Sequence, residues 1–442
     1  MISILQGVEA GRARIARARA IDENTVAPAL AARLQALFGE PLSPDEAVAR
    51  IIADVRERGD AALRDWSARL DGVQPSRLEV GREEIETALA ETPAAVREAL
   101  ERAAGRIRAF HEKHKPRSWL EWTRDGGALG QIVQPLDRVG IYVPGGTAPL
   151  PSSLLMSALP AQAAGVSELV VATPPSQAGR VAPVILAAAH IAGVGRVFAL
   201  GGAQAVAALA FGTESVPRVD KLVGAGGLFT TLAKRQVFGR VGIDGLYGPT
   251  ETLLLADDSA SPAWVAADLL AQAEHDVLAT SMLITTSSEL AAAVGRELES
   301  QLPRLARRAI VEQSLAGQGA IIIVQSLDEA LELANAFAPE HLCLLLREAW
   351  NVVPRVRNAG GVFVGEWSGE ALGDYVLGPS HVMPTGGTAR FSSPLNVNDF
   401  VKITSVFHVS AAEAHALGAS ARILAESEGL TAHANAVAVR TS

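Results

Sequence analysis

Residues 140–173 read GIYVPGGTAPLPSSLLMSALPAQAAGVSELVVAT. A β-branched run, GIYV (140–143), turns through Pro-Gly-Gly into an Ala- and Leu-rich segment of helical length, SSLLMSALPAQAAG (152–165). A second β-branched run, ELVVAT (168–173), follows. Strand, helix-length crossover and strand form the unit that builds a parallel sheet. The unit recurs downstream as a helix from about Val181, RVFAL (196–200), QAVAALAFG (204–212), KLVGAG (221–226) and FTTLAKRQV (229–237).

A second series of the same construction starts beyond Gly248-Pro249. It runs TLLLAD (252–257), PAWVAADLLAQAEHD (262–276), SMLITT (281–286), SELAAAVGRELESQL (288–302), AIIIV (320–324), LDEALELANAF (327–337), HLCLLL (341–346), NVVPRVRN (351–358) and GVFVG (361–365). Upstream, from about Pro44 to Lys115, apolar residues recur three and four apart with charges between them, the pattern of amphipathic helices. These patterns predict an α/β protein with two Rossmann-like parallel-sheet lobes, an N-terminal helical segment and a C-terminal tail. The expected division is an arm over 1–30, a first lobe from 31–138 with 251–385, a second lobe over 139–250, and a tail over 386–442. The tail reads as loop and helix with sparse apolar content, which suggests packing on another subunit.

Composition narrows the function. The chain has 442 residues, 49% of them apolar and 20% charged, enough to bury sizeable cores. Lys plus Arg total 39 and Asp plus Glu 48, giving 39 − 48 = −9. An acidic balance with no basic block argues against nucleic acid or an anionic membrane as partner. Cys343 is the only cysteine, so intrachain disulfides, CxxC redox motifs and thiolate zinc fingers are excluded by count. No apolar stretch approaches the ~18 residues that span a bilayer. Residues 10–21 are Arg-rich and acid-free but bracketed by Glu9 and Asp22, which reads as a solvated arm or helix rather than a targeting segment. A soluble, cytoplasmic protein is expected.

Several positions carry chemistry. Tyr142-Val143-Pro144-Gly145-Gly146 lies at the carboxyl end of a predicted strand, where ligands of open α/β sheets sit and where glycines let backbone approach a phosphate or ring. An empty strand-to-helix turn fits those residues equally well. Gly224-Ala225-Gly226-Gly227-Leu228-Phe229 follows a strand but lacks the third glycine of GxGxxG, and no Gly-Lys dipeptide exists for a P-loop. His111 and His114, flanked by lysines on a helix, read as a solvated face. Gln272 and His275 end an amphipathic helix three residues apart, so their side chains share a face. An amide oxygen and an imidazole suit a hard or borderline cation; a polar helix end capped by His is the plainer reading. Glu340-His341 opens a strand after Pro339, a pairing suited to acid/base work only if the turn bends the chain, since neighbours on a strand face opposite ways. The Gly- and Pro-punctuated loop 373–385 adds Asp374 as an oxygen donor.

Taken together, these residues resemble one family, histidinol dehydrogenase, the zinc- and NAD-dependent enzyme that completes histidine biosynthesis. The matching pieces are GIYVPGG (140–146), GGAQAVAALAFGTESVP (201–217), AKRQV (233–237), YGPTE (247–251), DLLAQAEHD (268–276), APEHL (338–342), EALGDYVLGPSHVMPTGGTARFSSP (370–394) and EGLTAHANAV (428–437). They run in the family's order from about residue 45 to the end.

The resemblance implies a zinc site of Gln272, His275, Asp374 and His433, the last donated by the partner subunit of a homodimer. It implies His341 as general base and Glu340 as the group that activates water on the aldehyde. Thr250, Gln272, His275, His341, Asp374, His381, Glu428 and His433 correspond to substrate contacts, Glu428 again in trans. Tyr142 and Gln204 correspond to NAD contacts. The family's third NAD contact, an Asn, is absent because Gly227 stands in its place. Thr250 replaces a common Ser, and Ser380 a frequent Asn. The implied reaction converts L-histidinol to the aldehyde and then to L-histidine, reducing two NAD. A same-fold dehydrogenase of another small alcohol is the alternative, and intact Glu428 speaks for a cationic substrate. A zinc hydrolase on Gln272, His275 and Asp374 would leave Tyr142 and Gln204 without a task.

Overall fold

A computed structural model describes residues 2–19, 28–73, 77–145 and 148–442. Gly146 of the glycine turn and residues 20–27 of the arm lie outside the described residues. Two parallel sheets organise the chain. The five-stranded sheet has the order Arg196–Ala199, Glu168–Thr173, Arg138–Tyr142, Lys221–Val223, Gly242–Ile243. The six-stranded sheet has the order Ser3–Gln6, Ala320–Ile323, Thr280–Thr285, Glu251–Ala256, His341–Leu345, Gly361–Val364. With Ser3–Gln6 set aside, both are built alike. The first strand is central, the second and third add on one side, and the fourth and fifth on the other. Every pairing in the two sheets is parallel.

Helices cover both faces of each sheet, so the central strands are apolar at successive positions rather than alternating. Leu253, Leu254, Leu255, Met282, Leu283 and Ile284 are all wholly buried. Leu254, Leu283, Ile321 and Cys343 join the core on one face, and Leu253, Leu255, Met282 and Ile284 the core on the other.

Four expectations need correction, the last of them the tail. The helical segment expected in the first lobe packs instead on the five-stranded sheet. Val48, Ile51, Val55, Leu63 and Trp66 join the core on one face of that sheet, and Ile85, Leu100, Ala104 and Ile107 the core on the other. The N-terminal arm is part of the six-stranded sheet: Ser3–Gln6 pairs with Ala320–Ile323, and helix Val8–Arg19 lies against helix Leu327–Phe337. His111 is not on a solvated face. It is 1% exposed with both ring nitrogens unpartnered, and burial holds its pKa down to about 4.

The tail also differs from a loop-and-helix reading. Leu395 and Phe400 enter the core beside the five-stranded sheet. Val401–His408 is a strand, antiparallel to Ala128–Pro135, which pairs in turn with Trp119–Trp122. Helices Ala411–Ser427 and Thr431–Thr441 follow and pack on each other. Phe407, Leu417, Ile423, Leu424 and Val439 are all more than 60% exposed. Among the described residues, no helix is long and apolar enough to cross a membrane.

Candidate active site

The acid/base residues lie at the amino edge of the six-stranded sheet. Ala338 closes helix Leu327–Phe337 with φ 51°, a left-handed turn that non-glycine residues seldom adopt and that concentrates at functional sites. The chain therefore bends before the strand begins. Glu340 precedes the ladder, whose first pairs are His341 with Thr252 and with Gly361. The two neighbouring side chains converge, with Glu340 Oε2 3.7 Å from His341 Nδ1.

Backbone and side-chain donors fix both groups. Glu340 Oε2 accepts from Thr250 Oγ1 at 2.6 Å and from the Glu251 amide at 3.0 Å. His341 Nδ1 is 3.2 Å from the Glu251 carbonyl, the geometry of an Nδ1–H donor, and Nε2 faces Asp374 Oδ1 at 3.3 Å. Burial pushes the Glu340 carboxyl up to about 7. Burial opposes charge on His341 as well, but Glu340, the Asp374 hydrogen bond and Glu370 outweigh it and raise the imidazole to about 10.

Asp374 stands in the π-helical turn Gly373–Leu377, a geometry frequent at functional sites. Burial disfavours its charge, yet His341, with His381 and His275 nearby, holds it below the usual carboxylate range. The Asp374 carbonyl accepts from His381 Nδ1 at 2.7 Å, and His381 Nε2 then meets Ser153 Oγ at 3.1 Å. Ser153 stands in the first turn of helix Pro151–Ala164, so this bond ties the amino edge of one sheet to the carboxyl edge of the other.

Gln272, 1% exposed, is oriented so that Oε1 accepts from the Glu251 amide at 2.8 Å and Nε2 donates to Glu370 Oε1 at 3.2 Å. Glu370 is 2% exposed, its Oε2 has no partner, and burial lifts it to about 8. Asp268, lifted to about 6 by burial, adds another carboxyl close by. His275, at the end of the same helix as Gln272, is open to solvent.

A second crevice lies at the carboxyl edge of the five-stranded sheet, between strands Arg138–Tyr142 and Lys221–Val223. Gly224 closes it with φ +108°; a Cβ there would stand 2.2 Å from the Tyr142 carbonyl. Its peptide is held at both ends. The amide donates to Asp244 Oδ2 at 2.7 Å and the carbonyl accepts from Lys234 Nζ at 2.8 Å. Tyr142 and Gln204 are both buried here, and the Tyr142 hydroxyl accepts from the Gly202 amide at 3.1 Å. Gly227 is the N-cap of helix Leu228–Val237 and has open space around its Cα.

A single chain thus brings together Thr250, Gln272, Glu340, His341, Asp374 and His381, with His275 at the rim. It does not bring Glu428 or His433 to them. Both are exposed on the two C-terminal helices.

Comparison with known proteins identifies the family of the chain. The profile of one family, histidinol dehydrogenase, matches residues 41–441. The chain belongs to the histidinol dehydrogenase family. It is 54% identical over 441 residues to the histidinol dehydrogenase of Deinococcus radiodurans, spanning 99% of this chain and all of that protein. It is 50% identical to that of Chromobacterium violaceum, over 93% of this chain and 96% of that one. The crystal structure of histidinol dehydrogenase from Elizabethkingia anophelis superposes with a TM-score of 0.90 at 31% identity, covering 99% of this chain and 98% of that one. The protein is accordingly an oxidoreductase.

Histidinol dehydrogenase chemistry invites a test of the zinc set against these side chains. Among the described residues no group of three or more His, Cys, Asp and Glu could hold a metal. A set in which one chain supplies an amide oxygen, one imidazole and one carboxylate meets that condition, because only two of the three are of those types. The surplus of carboxyls, Glu251, Asp268, Glu340, Glu370 and Asp374, and the orphaned Glu370 Oε2 fit a cation at this site. Glu370 and Asp268 escaped the sequence reading because acids in a first helical turn or on an amphipathic helix ordinarily face water.

Proposed function

We propose that this chain is a zinc-dependent, NAD-linked histidinol dehydrogenase. It oxidises L-histidinol to L-histidine through enclosed L-histidinaldehyde, the last step of histidine biosynthesis, in the cytoplasm. The observation that carries the reading is the convergence of Glu340 on His341, of His341 on Asp374, and of Glu340 and Gln272 on the Thr250 hydroxyl and the Glu251 amide, in a chain of this family.

Gln272, His275 and Asp374, with His433 of the partner subunit, would hold the zinc. Zinc, when bound, supplies a Lewis acid and template for the amino-alcohol. NAD, held by Tyr142 and Gln204, supplies the hydride acceptor. With Nδ1–H directed to the Glu251 carbonyl, His341 turns Nε2 toward Asp374, and that nitrogen is the one that would take the substrate hydroxyl proton as hydride leaves. Glu340, near neutrality in its proton affinity, moves a proton from water as it adds to the aldehyde. His341 serves again when the hydrate gives up its own hydride. The balance is one alcohol, one water and two NAD⁺ to one carboxylate, two NADH and the released protons.

The exposed apolar residues of the C-terminal strand and helices support a homodimer, in which Glu428 and His433 reach the partner's site. The carboxyl-rich site supports a cationic amino-alcohol over an acidic one.

The test is the ratio of NADH formed to L-histidinol consumed, with zinc present, after chelation, and after zinc is restored. Two NADH per histidinol, lost with the chelator and regained with zinc, is the expected result. No NADH from histidinol in folded, zinc-loaded protein would move the assignment to another alcohol.

A further inference from the structure

The crevice of the five-stranded sheet contains two hydrogen-bond acceptors with unmet capacity, one without a partner and one served by a single long contact. Gln204, at the start of helix Gly202–Phe211, is wholly buried, and its Oε1 has no partner. Gly202 leaves space beside that oxygen: at φ +61°, a Cβ there would stand 2.9 Å from it. The other end of the amide, Nε2, is 3.4 Å from Asp71 Oδ2. Asp71 caps helix Asp60–Leu70, in the layer outside the sheet, and its carboxyl lies close enough to Gln204 for contact and to Tyr142 for its charge to be felt there. Its carboxylate makes no other hydrogen bond among the described residues, and burial lifts it to about 6 with only Arg33 opposing.

Buried acceptors without donors are costly, and strongly so for a carboxylate. A charged group with a perturbed proton affinity and a specific polar neighbour in a cleft is a candidate for a functional role. Here the two acceptors sit side by side, and a vicinal diol presents two adjacent O–H donors. Which half of a dinucleotide lies here follows from chain topology. From Ile243 the chain leaves the sheet on the Gly224 side and runs through Tyr247 to Thr250, so that side of the crevice abuts the acid/base residues and takes the reacting ring. Gln204 follows the third strand, on the opposite side of the central strand, where the remote half belongs.

We propose that Asp71, with Gln204 Oε1, accepts the hydroxyls of the adenosine ribose and so makes the enzyme select NAD over NADP. A phosphate ester on that hydroxyl removes one donor and sets a dianion against the Asp71 carboxylate. This inference rests on the reading of the crevice as the NAD site.

The test compares kcat/KM and equilibrium binding for NAD and NADP in the zinc-loaded protein and in Asp71→Asn and Asp71→Ser, with thermal midpoints as a control on folding. Wild type is expected to prefer NAD by more than a hundredfold. Both variants should lose about tenfold in NAD affinity and narrow the preference below tenfold, with the KM for histidinol unchanged. An unchanged NAD/NADP ratio in folded variants that still bind NAD would overturn this role for Asp71 alone. Failure of the wild type to bind either dinucleotide would overturn the cofactor reading, and this inference with it.

Discussion

Glu340 and His341 are neighbours in the chain, yet their side chains meet at 3.7 Å instead of pointing to opposite faces of the sheet. The left-handed Ala338 and the late start of the ladder make this possible, because Glu340 is still in the bend. The two groups divide the labour of proton transfer. His341→Asn should lower kcat by about 10²–10⁴ while zinc content and histidinol affinity, read by calorimetry, stay near wild type. Undiminished turnover would remove His341 from the base role. Glu340→Gln should act selectively on the second oxidation, dropping NADH per histidinol from two toward one and releasing aldehyde that a trapping reagent detects.

Thr250 links the two halves of this edge, with its hydroxyl 2.6 Å from Glu340 and 2.7 Å from Gln272. Thr250→Ser keeps the hydroxyl and should leave kcat/KM within about threefold, whereas Thr250→Val leaves the Glu251 amide as the one donor shared by Glu340 Oε2 and Gln272 Oε1 and should cost roughly tenfold or more. Equal activity in the two variants would show that the hydroxyl carries no such role.

The C-terminal helices present apolar side chains to solvent in a single chain, and Glu428 and His433 with them. Removal of residues 428–442 should abolish zinc retention, measured by metal analysis, together with activity. Ile423→Glu with Leu424→Glu should shift sedimentation toward the monomer and lower zinc occupancy in parallel. A truncated chain that kept full zinc and full activity would rule out a site completed by the partner.

His111 supplies a pH dependence of stability. Its pKa is about 4 in the folded protein, against an ordinary value of 6.5. Between those values the unfolded chain binds a proton that the folded chain does not, so stability rises with pH across that window and is lost as pH falls through it. The contribution is of the order of 3 kcal/mol. His111→Phe should flatten the urea midpoint between pH 4 and 6.5; a slope equal to wild type would assign the acid lability elsewhere.

Lys234 is 1% exposed, bonded to Asp244 and the Gly224 carbonyl, with its ammonium 4.8 Å above the centre of the Tyr247 ring. Lys234→Met strands Asp244 as a buried, uncompensated charge and should destabilise by about 3–5 kcal/mol. A melting temperature unchanged from wild type would show that water or another cation relieves Asp244.

Both parallel sheets were legible in the sequence, since strands buried on two faces announce themselves as unbroken apolar runs such as TLLLA and AIII. The allegiance of the helices upstream of residue 115 was not. Periodicity shows that Ile51 and Ile107 are buried but not which sheet they meet. Val401–His408 escaped notice because a strand open to solvent on both faces lacks the inward–outward contrast that identifies one. At the site, His341 and Asp374 could be named from resemblance, but Asp71 could not: in RLDGV it reads as an ordinary turn acid before glycine. Its significance comes from an amide 133 residues away.

The two lobes have the same strand order but offer opposite edges, one the amino ends of its strands and the other the carboxyl ends. The acid/base pair and the Tyr142–Gln204 crevice are thus mounted on separate frameworks, joined locally by contacts such as Ser153 with His381. Separate mounting implies energetic independence. Substitutions at Asp71 or Gln204 should combine with those at Thr250 or Glu340 additively in a double-mutant cycle, within about 0.5 kcal/mol. Selection can then retune which carrier takes the electrons without disturbing which alcohol gives them up.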